Sequence, residues 1–315
     1  MIGVVVRNGG LLLDEELPMP VEADGEVIVE MEAACVAPLD VQIAAGWFPM
    51  RPPVPYVAGL DGAGRVVSGA GAVEGKRVRV RGGGVGMTRD GCAAERVALP
   101  AAALHELRED VDAGTAATFF VPCSTAYAAL HHVGRVQPGE RVAVRGAAGS
   151  VGQVAVQLAL AAGASEVIGI VSAKSRTEAV PEGARAVVAG SPDELRGRLH
   201  GEDFDLLVDT IAGPGLTACI GAIRPGGRIV LVGYAGGVRL ELDVTELIAR
   251  DVSLLPLNGI GREPETAPRS GEWLDAIVRG DLHVTTSVFP VERLADAVAA
   301  VCGSPSPGRV AVLFR

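Results

Sequence analysis

Thiols and lysines are scarce in this sequence, and the scarcity of each removes a class of protein. The five cysteines, Cys35, Cys92, Cys123, Cys219 and Cys302, are odd in number and widely scattered, with no CxxC pair anywhere. That pattern speaks against a disulfide framework and a structural zinc lobe, so packed thiols are expected. Arginine outnumbers lysine by 26 to 2, yet 38 acidic residues leave a formal net charge of −10. No basic face for nucleic acid is expected at that balance. No apolar run approaches the ~20 residues that cross a bilayer, so no membrane span is expected. The opening MIGVVVRNGG has none of the basic, apolar and small-residue sequence of a secretion signal, and a cytoplasmic location is the expectation. No internal repeat is apparent, and the one low-complexity patch, Arg81-Gly-Gly-Gly84, reads as a loop.

What is present is glycine and small apolar residues in a telling order. At 315 residues and 49% hydrophobic the chain can bury a large core and suits two domains of roughly 100–200 residues each. Arg141–Arg145 reads as a short buried strand after the turn Pro138-Gly139, and it runs into Gly146-Ala-Ala-Gly149-Ser150-Val151-Gly152. Glycines there let the chain turn off the strand, let a diphosphate approach backbone N–H groups, and let a helix pack on the sheet without Cβ atoms in the way. Val151–Ala162 reads as that helix, Gly163 as its stop and Glu166–Val171 as a second strand. Strand, glycine turn, helix and strand in this order are the setting a dinucleotide site needs, with the diphosphate on the helix N-terminus.

The tip of the second strand distinguishes the dinucleotides. NAD sites usually carry an acid there, about 20 residues past the first glycines, whereas a 2′-phosphate needs cations and hydroxyls. Here the tip is Ser172-Ala-Lys174-Ser-Arg176, so NADPH is the expected cofactor.

Residues 1–100 read as short strands with glycine turns: Ile2–Arg7, Glu26–Ala33, Ala63–Ser68, Arg77–Arg81 and Ala93–Leu99. From Asp112 the pattern is helical through Leu130, and from Arg141 strands and helices alternate, with further strands at Asp205–Asp209, Arg228–Gly233 and Val252–Leu257. Alternation implies a parallel, doubly wound sheet with its ligand at the carboxyl ends of the strands, where Asp209-Thr210, Gly233-Tyr234 and Leu257-Asn258 fall. Beyond it come a helix at Gly271–Gly280, an extended His283–Thr286, a helix at Val291–Val301 and a strand at Arg309–Phe314 that can return to the N-terminal β domain.

Ala37-Pro-Leu-Asp40 with Gly46, Val57-Ala-Gly59-Leu-Asp61-Gly-Ala-Gly64, Ser124-Thr125-Ala-Tyr127, Ala148-Gly149-Ser-Val-Gly152, Asp205-Leu-Leu-Val-Asp209-Thr, Arg224-Pro-Gly-Gly and the closing Gly308-Arg309-Val310 follow one another at the spacing of a known family. In these residues the chain resembles the medium-chain dehydrogenase/reductase superfamily, and within it the zinc-free quinone oxidoreductase-like branch that includes zeta-crystallin and enoyl reductases. The resemblance covers almost the whole chain. It implies an α/β fold: a GroES-like, β-rich catalytic domain over 1–122 and 259–315, a Rossmann NADP-binding domain over 123–258, and nicotinamide in the cleft between them. Zinc-dependent relatives place cysteine, histidine and cysteine at the positions of Ala37, Leu60 and Val121, so the resemblance implies no metal here.

Without a Lewis acid the favoured chemistry is hydride delivery from NADPH to the β-carbon of an enone, enoyl thioester or quinone, with the protein orienting the substrate and supplying donors for the enolate oxygen. The resemblance implies cofactor contacts from Thr125, Gly149, Ser150, Val151, Gly152, Ser172, Lys174, Arg176, Gly233, Tyr234, Leu257 and Asn258. Asp40, Gln42, Tyr56 and Thr125 are the catalytic candidates, with Trp47 beside them; the alternatives are that Asp40 caps the following helix and that Trp47 and Tyr56 are apolar walls. His131 and His132 are adjacent on a helix, point about 100° apart and are not expected to share a site. The quinone reductase branch carries Asn and Tyr where this chain has Ala37 and Gln42, which leaves a second reading open: an NADPH-binding protein of the same fold without turnover. The expected partners are a small molecule with a polarised double bond and a second copy of the chain in a homodimer.

Overall fold

Valine-rich runs set off by glycine turns become strands throughout the first third of the chain. The computed structural model describes residues 1–68, 74–303 and 308–314. β1 (Gly3–Arg7) and β2 (Gly10–Asp14) form a hairpin across Asn8 and Gly9, both at positive φ as a two-residue turn of this hand requires. β3 (Glu26–Val36) alternates buried and half-buried residues and then becomes wholly buried. α1 (Pro38–Ala44) follows, then β4 (Tyr56–Val57), β5 (Gly62–Ser68), β6 (Arg77–Val80), β7 (Arg96–Pro100) and β8 (Leu104–Glu106). β4 pairs with β1, while β5 and β7 pair with β3, giving the β-rich unit expected.

α2 (Ala113–Thr118) closes this stretch of the first unit, and α3 (Phe120–Tyr127) with a π-helical turn, Ala128–Val133, opens the second. There the chain alternates: β9 (Arg141–Arg145), α4 (Ser150–Ala161), β10 (Glu166–Val171), β11 (Arg185–Val188), α5 (Pro192–Arg198), β12 (Phe204–Asp209), α6 (Pro214–Ile220), β13 (Ile223–Leu231), α7 (Val244–Arg250) and β14 (Ser253–Pro256). All pairings are parallel, and the order is β11-β10-β9-β12-β13-β14, the doubly wound arrangement in which strand order reverses between β9 and β12. α8 (Gly259–Thr266) and α9 (Ser270–Arg279) stay with this unit. Then β15 (Thr286–Pro290), α10 (Leu294–Cys302) and β16 (Arg309–Leu313) complete the first sheet, in the order β15-β16-β3-β5-β6-β8 with β7 on β3.

The chain divides as Met1–Phe120 with Thr285–Arg315, and Val121–Val284. The return to the first unit comes at Thr285, not at 259 as the sequence reading has it. Residues 259–284 are tied to the second unit by the Ser124 and Thr266 hydroxyls, 2.6 Å apart and buried, and by Trp273, whose ring lies 5.9 Å from Tyr127. Four of the five cysteines are buried thiols and Cys302 is exposed. No helix among the described residues is long and apolar enough to cross a membrane.

The start of α1 shows how the first unit holds a short helix. Ala37 has no side chain with which to cap it, and Asp40, in the first turn, accepts instead from the Ala37 N–H at 2.8 Å and from the Leu60 N–H at 3.2 Å. One carboxylate thus caps the helix and ties it to the chain twenty residues on. Burial pushes this carboxyl up to about 7; nearby Asp61 acts in the same sense, against the two backbone donors and Arg309. The unfolded chain loses this proton near 3.8, so Asp40's contribution to stability is full below that value and is lost as pH rises towards 7. We expect Asp40→Asn to lower the urea midpoint more at pH 4.5 than at pH 7.5, relative to wild type at each pH. A deficit independent of pH would contradict the assignment.

Candidate functional site

The six parallel strands end in step. Val187, Ile170, Arg145, Asp209, Leu231 and Pro256 are neighbours in register across the sheet, one from each strand. Each cofactor candidate that follows a strand lies a few residues beyond this row: Gly149 to Gly152 after β9, Ser172, Lys174 and Arg176 after β10, Gly233 and Tyr234 after β13, Leu257 and Asn258 after β14. The structure therefore brings these candidates to one edge of one sheet. The opposite edge is laced with ion pairs: Arg141 with Glu166 at 2.8 Å and with Glu202, Arg185 with Glu166 at 2.8 Å and Glu202 at 2.6 Å, and Arg228 with Glu140 at 2.7 Å.

The glycine turn is shaped by close approach. Gly146 has φ +84°, and a Cβ there would stand 2.2 Å from the Thr210 hydroxyl. A Cβ on Gly152 would stand 2.1 Å from the Gly146 carbonyl oxygen, so the first turn of α4 presses directly on the loop. Gly149 is the N-cap of α4, in extended backbone, and no side chain caps the helix there. Its leading N–H groups have no intrahelical acceptors and are open to an anion. The residues present thus fit a diphosphate.

At the tip of β10, Ser172 and Lys174 are exposed and Arg176 is half-buried in a short 3-10 turn, Lys174–Ala179. No acid lies between Val171 and Arg176. Tyr234 is half exposed, and the Asn258 side chain accepts from the Gly261 N–H at 3.0 Å, so it caps α8. Thr125 stands beside the start of that helix: a Cβ on Gly259 would lie 3.5 Å from its hydroxyl oxygen.

The other three catalytic candidates lie in the first unit. Asp40 has both oxygens engaged by backbone donors, which favours the capping role over a catalytic one. Tyr56 is buried in β4, and burial holds its phenol above the usual range, opposed by Arg51. Gln42 is half-buried in α1. Trp47 is 81% exposed.

His131 and His132 lie in the last turn of a helical segment. They fall in the π-helical turn, whose wider spiral brings both rings to Tyr127, with centroids 4.4 and 5.3 Å away; His132 Nδ1 stands 3.2 Å from Glu265. Among the described residues no three His, Cys, Asp or Glu side chains are grouped to hold a metal ion.

The sequence reading placed Asp209 at this edge but not its partner Arg145. Arg145 and Asp209, the last residues of β9 and β12, form an ion pair at 3.0 Å in the middle of the row. Charges of opposite sign closing two neighbouring strands, Arg145 on β9 and Asp209 on β12, were the available signal.

Comparison with known proteins agrees with this architecture. Residues 23–109 match the family model of the alcohol dehydrogenase GroES-like domain, and residues 150–275 that of the zinc-binding dehydrogenases. Quinone oxidoreductase of Homo sapiens is 27% identical over 316 residues, spanning 96% of this chain and 94% of that protein. Among solved structures, the quinone oxidoreductase of Thermus thermophilus, determined also in complex with NADPH, has 28% identity, a TM-score of 0.80 and full coverage of both chains. An alcohol dehydrogenase superfamily protein from Novosphingobium aromaticivorans has 28% identity and a TM-score of 0.82, again over both whole chains. With the two domain models in sequence order and relatives alike from end to end, the chain belongs to the medium-chain dehydrogenase/reductase superfamily, in its quinone oxidoreductase-like branch, and is an oxidoreductase of that group.

Proposed function

We propose that the protein is an NADPH-dependent, zinc-independent reductase that delivers hydride to a conjugated carbon–carbon double bond of an enone, enoyl thioester or quinone. The observation that carries the reading is the make-up of the carboxyl edge. An uncapped helix N-terminus receives the diphosphate, and a hydroxyl and two cations at the tip of β10 receive a 2′-phosphate. When bound, the dinucleotide supplies the hydride. Gly149 to Gly152 hold the diphosphate, Ser172, Lys174 and Arg176 the 2′-phosphate, and Gly233, Tyr234, Leu257 and Asn258 border the nicotinamide half, with the Thr125 hydroxyl as its hydrogen-bonding neighbour.

The acceptor class follows from the donor set. Ala37, Leu60 and Val121 carry no side-chain atom that can bind zinc, so an alkoxide formed from a simple ketone has no Lewis acid to stabilise it, whereas a conjugated acceptor spreads the charge over an enolate. Gln42 and Tyr56 are the first-unit candidates with a proton to donate to that oxygen. The reading without turnover draws on the same region: Ala37 and Gln42 stand where the branch carries Asn and Tyr.

NADPH is expected to bind more than tenfold tighter than NADH in fluorescence titrations, since each charge-assisted contact to the 2′-phosphate contributes roughly 1.5–3 kcal/mol. Replacing Lys174 and Arg176 together by alanine should weaken NADPH by more than tenfold and leave NADH nearly unchanged. Equal dissociation constants for the two cofactors in the wild type would remove the assignment.

A panel of quinones, enones, enoyl thioesters and ketones, run with and without chelator and beside elemental analysis, tests the acceptor. Conjugated substrates should exceed ketones by about 10²–10³ in rate, the worth of one placed oxyanion donor, and chelator should change nothing. Stoichiometric zinc with chelator-sensitive ketone reduction would refute the proposal; NADPH binding with no turnover across the panel would favour the second reading.

A further inference from the structure

Resting on the cofactor reading above, we propose that Arg145 is a positioning residue for the dinucleotide: paired with Asp209, it clamps the glycine turn after β9 to the loop after β12 and keeps the diphosphate cradle formed before ligand arrives. These are the two strands between which strand order reverses, so the loops leaving them part to opposite faces of the sheet and open a crevice. Something must fix their separation.

The geometry shows how the pair does so. Arg145 Nη1 donates to Asp209 Oδ2 at 3.0 Å and Oδ1 at 3.2 Å, and to the Ala212 carbonyl at 2.9 Å. Asp209, with no solvent exposure, also accepts from the N–H groups of Ile211 at 2.8 Å and Ala212 at 3.1 Å. The Thr210 hydroxyl donates back to the Arg145 carbonyl at 2.9 Å, and that hydroxyl fills the space beside Gly146. Ala212 sits at φ +54°, a left-handed conformation that a residue with a Cβ seldom adopts and that persists where surrounding contacts impose it. The guanidinium also fits a gap made for it: a Cβ on Gly215 would stand 2.2 Å from Nη2. A buried carboxylate deprived of its cation is costly, so the two loops cannot separate without breaking the pair. Holding a binding loop in its bound form raises affinity by removing the ordering cost, without any contact to the reacting atoms.

The test compares wild type, Arg145→Gln and Arg145→Lys by NADPH titration, by steady-state kinetics on the best acceptor, and by amide hydrogen exchange without cofactor. Arg145→Gln should raise the NADPH dissociation constant and KM at least tenfold, leave kcat at saturating NADPH and the acceptor KM within twofold, and speed exchange in both 146–152 and 209–213 but not in β3 or β5. Arg145→Lys, whose ammonium stops short of the Nη1 position, should fall between, three- to tenfold weaker in NADPH at unchanged kcat; if the glutamine variant does not fold, this variant decides. Wild-type affinity in the variant that decides, or kcat falling in step with cofactor affinity, overturns the proposal while leaving the cofactor reading intact. Failure of the wild type to bind either dinucleotide removes that reading and this inference with it.

Discussion

Parallel strands that share a register must all end along one line, and here that line is set by backbone pairing from Val187 to Pro256. Every loop leaving the sheet towards the ligand inherits its starting point from this row. A shift of one residue between β9 and β12 would separate Arg145 from Asp209, move the Thr210 hydroxyl away from Gly146 and undo the glycine turn. The site is thus a consequence of sheet register before it is a matter of any single side chain.

The two edges of the sheet divide the labour. At the amino edge Arg141, Glu166, Arg185 and Glu202 link β9, β10 and β11 into a charge network that is partly exposed, where each pair is worth little alone but several share the same ends. At the carboxyl edge Arg145 and Asp209 form an ion pair between the ends of β9 and β12, and no side chain caps the start of α4, so the first N–H groups of that helix have no intrahelical acceptor. Stabilising one end with charge leaves the other end free to be glycine-rich, which a diphosphate demands and which contributes little to stability.

How much of this was legible in the sequence depended on distance along the chain. The turn from Gly146 to Gly152 was readable because strand, turn and helix are contiguous and each glycine has a local reason. β2 was missed because Leu11–Leu13 is a strand only by pairing with β1, and β11 because an edge strand with two exposed residues carries almost no apolar pattern. Asp40 was readable as a cap, but its bond to Leu60 was not, and Arg145 meets Asp209 across 64 residues. The boundary at Thr285 was misplaced because it is fixed by Ser124–Thr266 and Tyr127–Trp273, contacts between segments more than a hundred residues apart.

The proposed account draws on a helix N-terminus without a side-chain cap, a basic strand tip and the Arg145–Asp209 pair for the dinucleotide, and on the lack of ligating side chains at Ala37, Leu60 and Val121 for the acceptor. The most direct measurement is the footprint of NADPH on amide hydrogen exchange across the whole chain. The account predicts protection in the second unit concentrated at 146–152, 172–176, 210–213, 233–236 and 257–259, with the amino edge of the sheet unchanged. Protection centred on the amino edge, or none at all at cofactor concentrations that saturate binding, would contradict it.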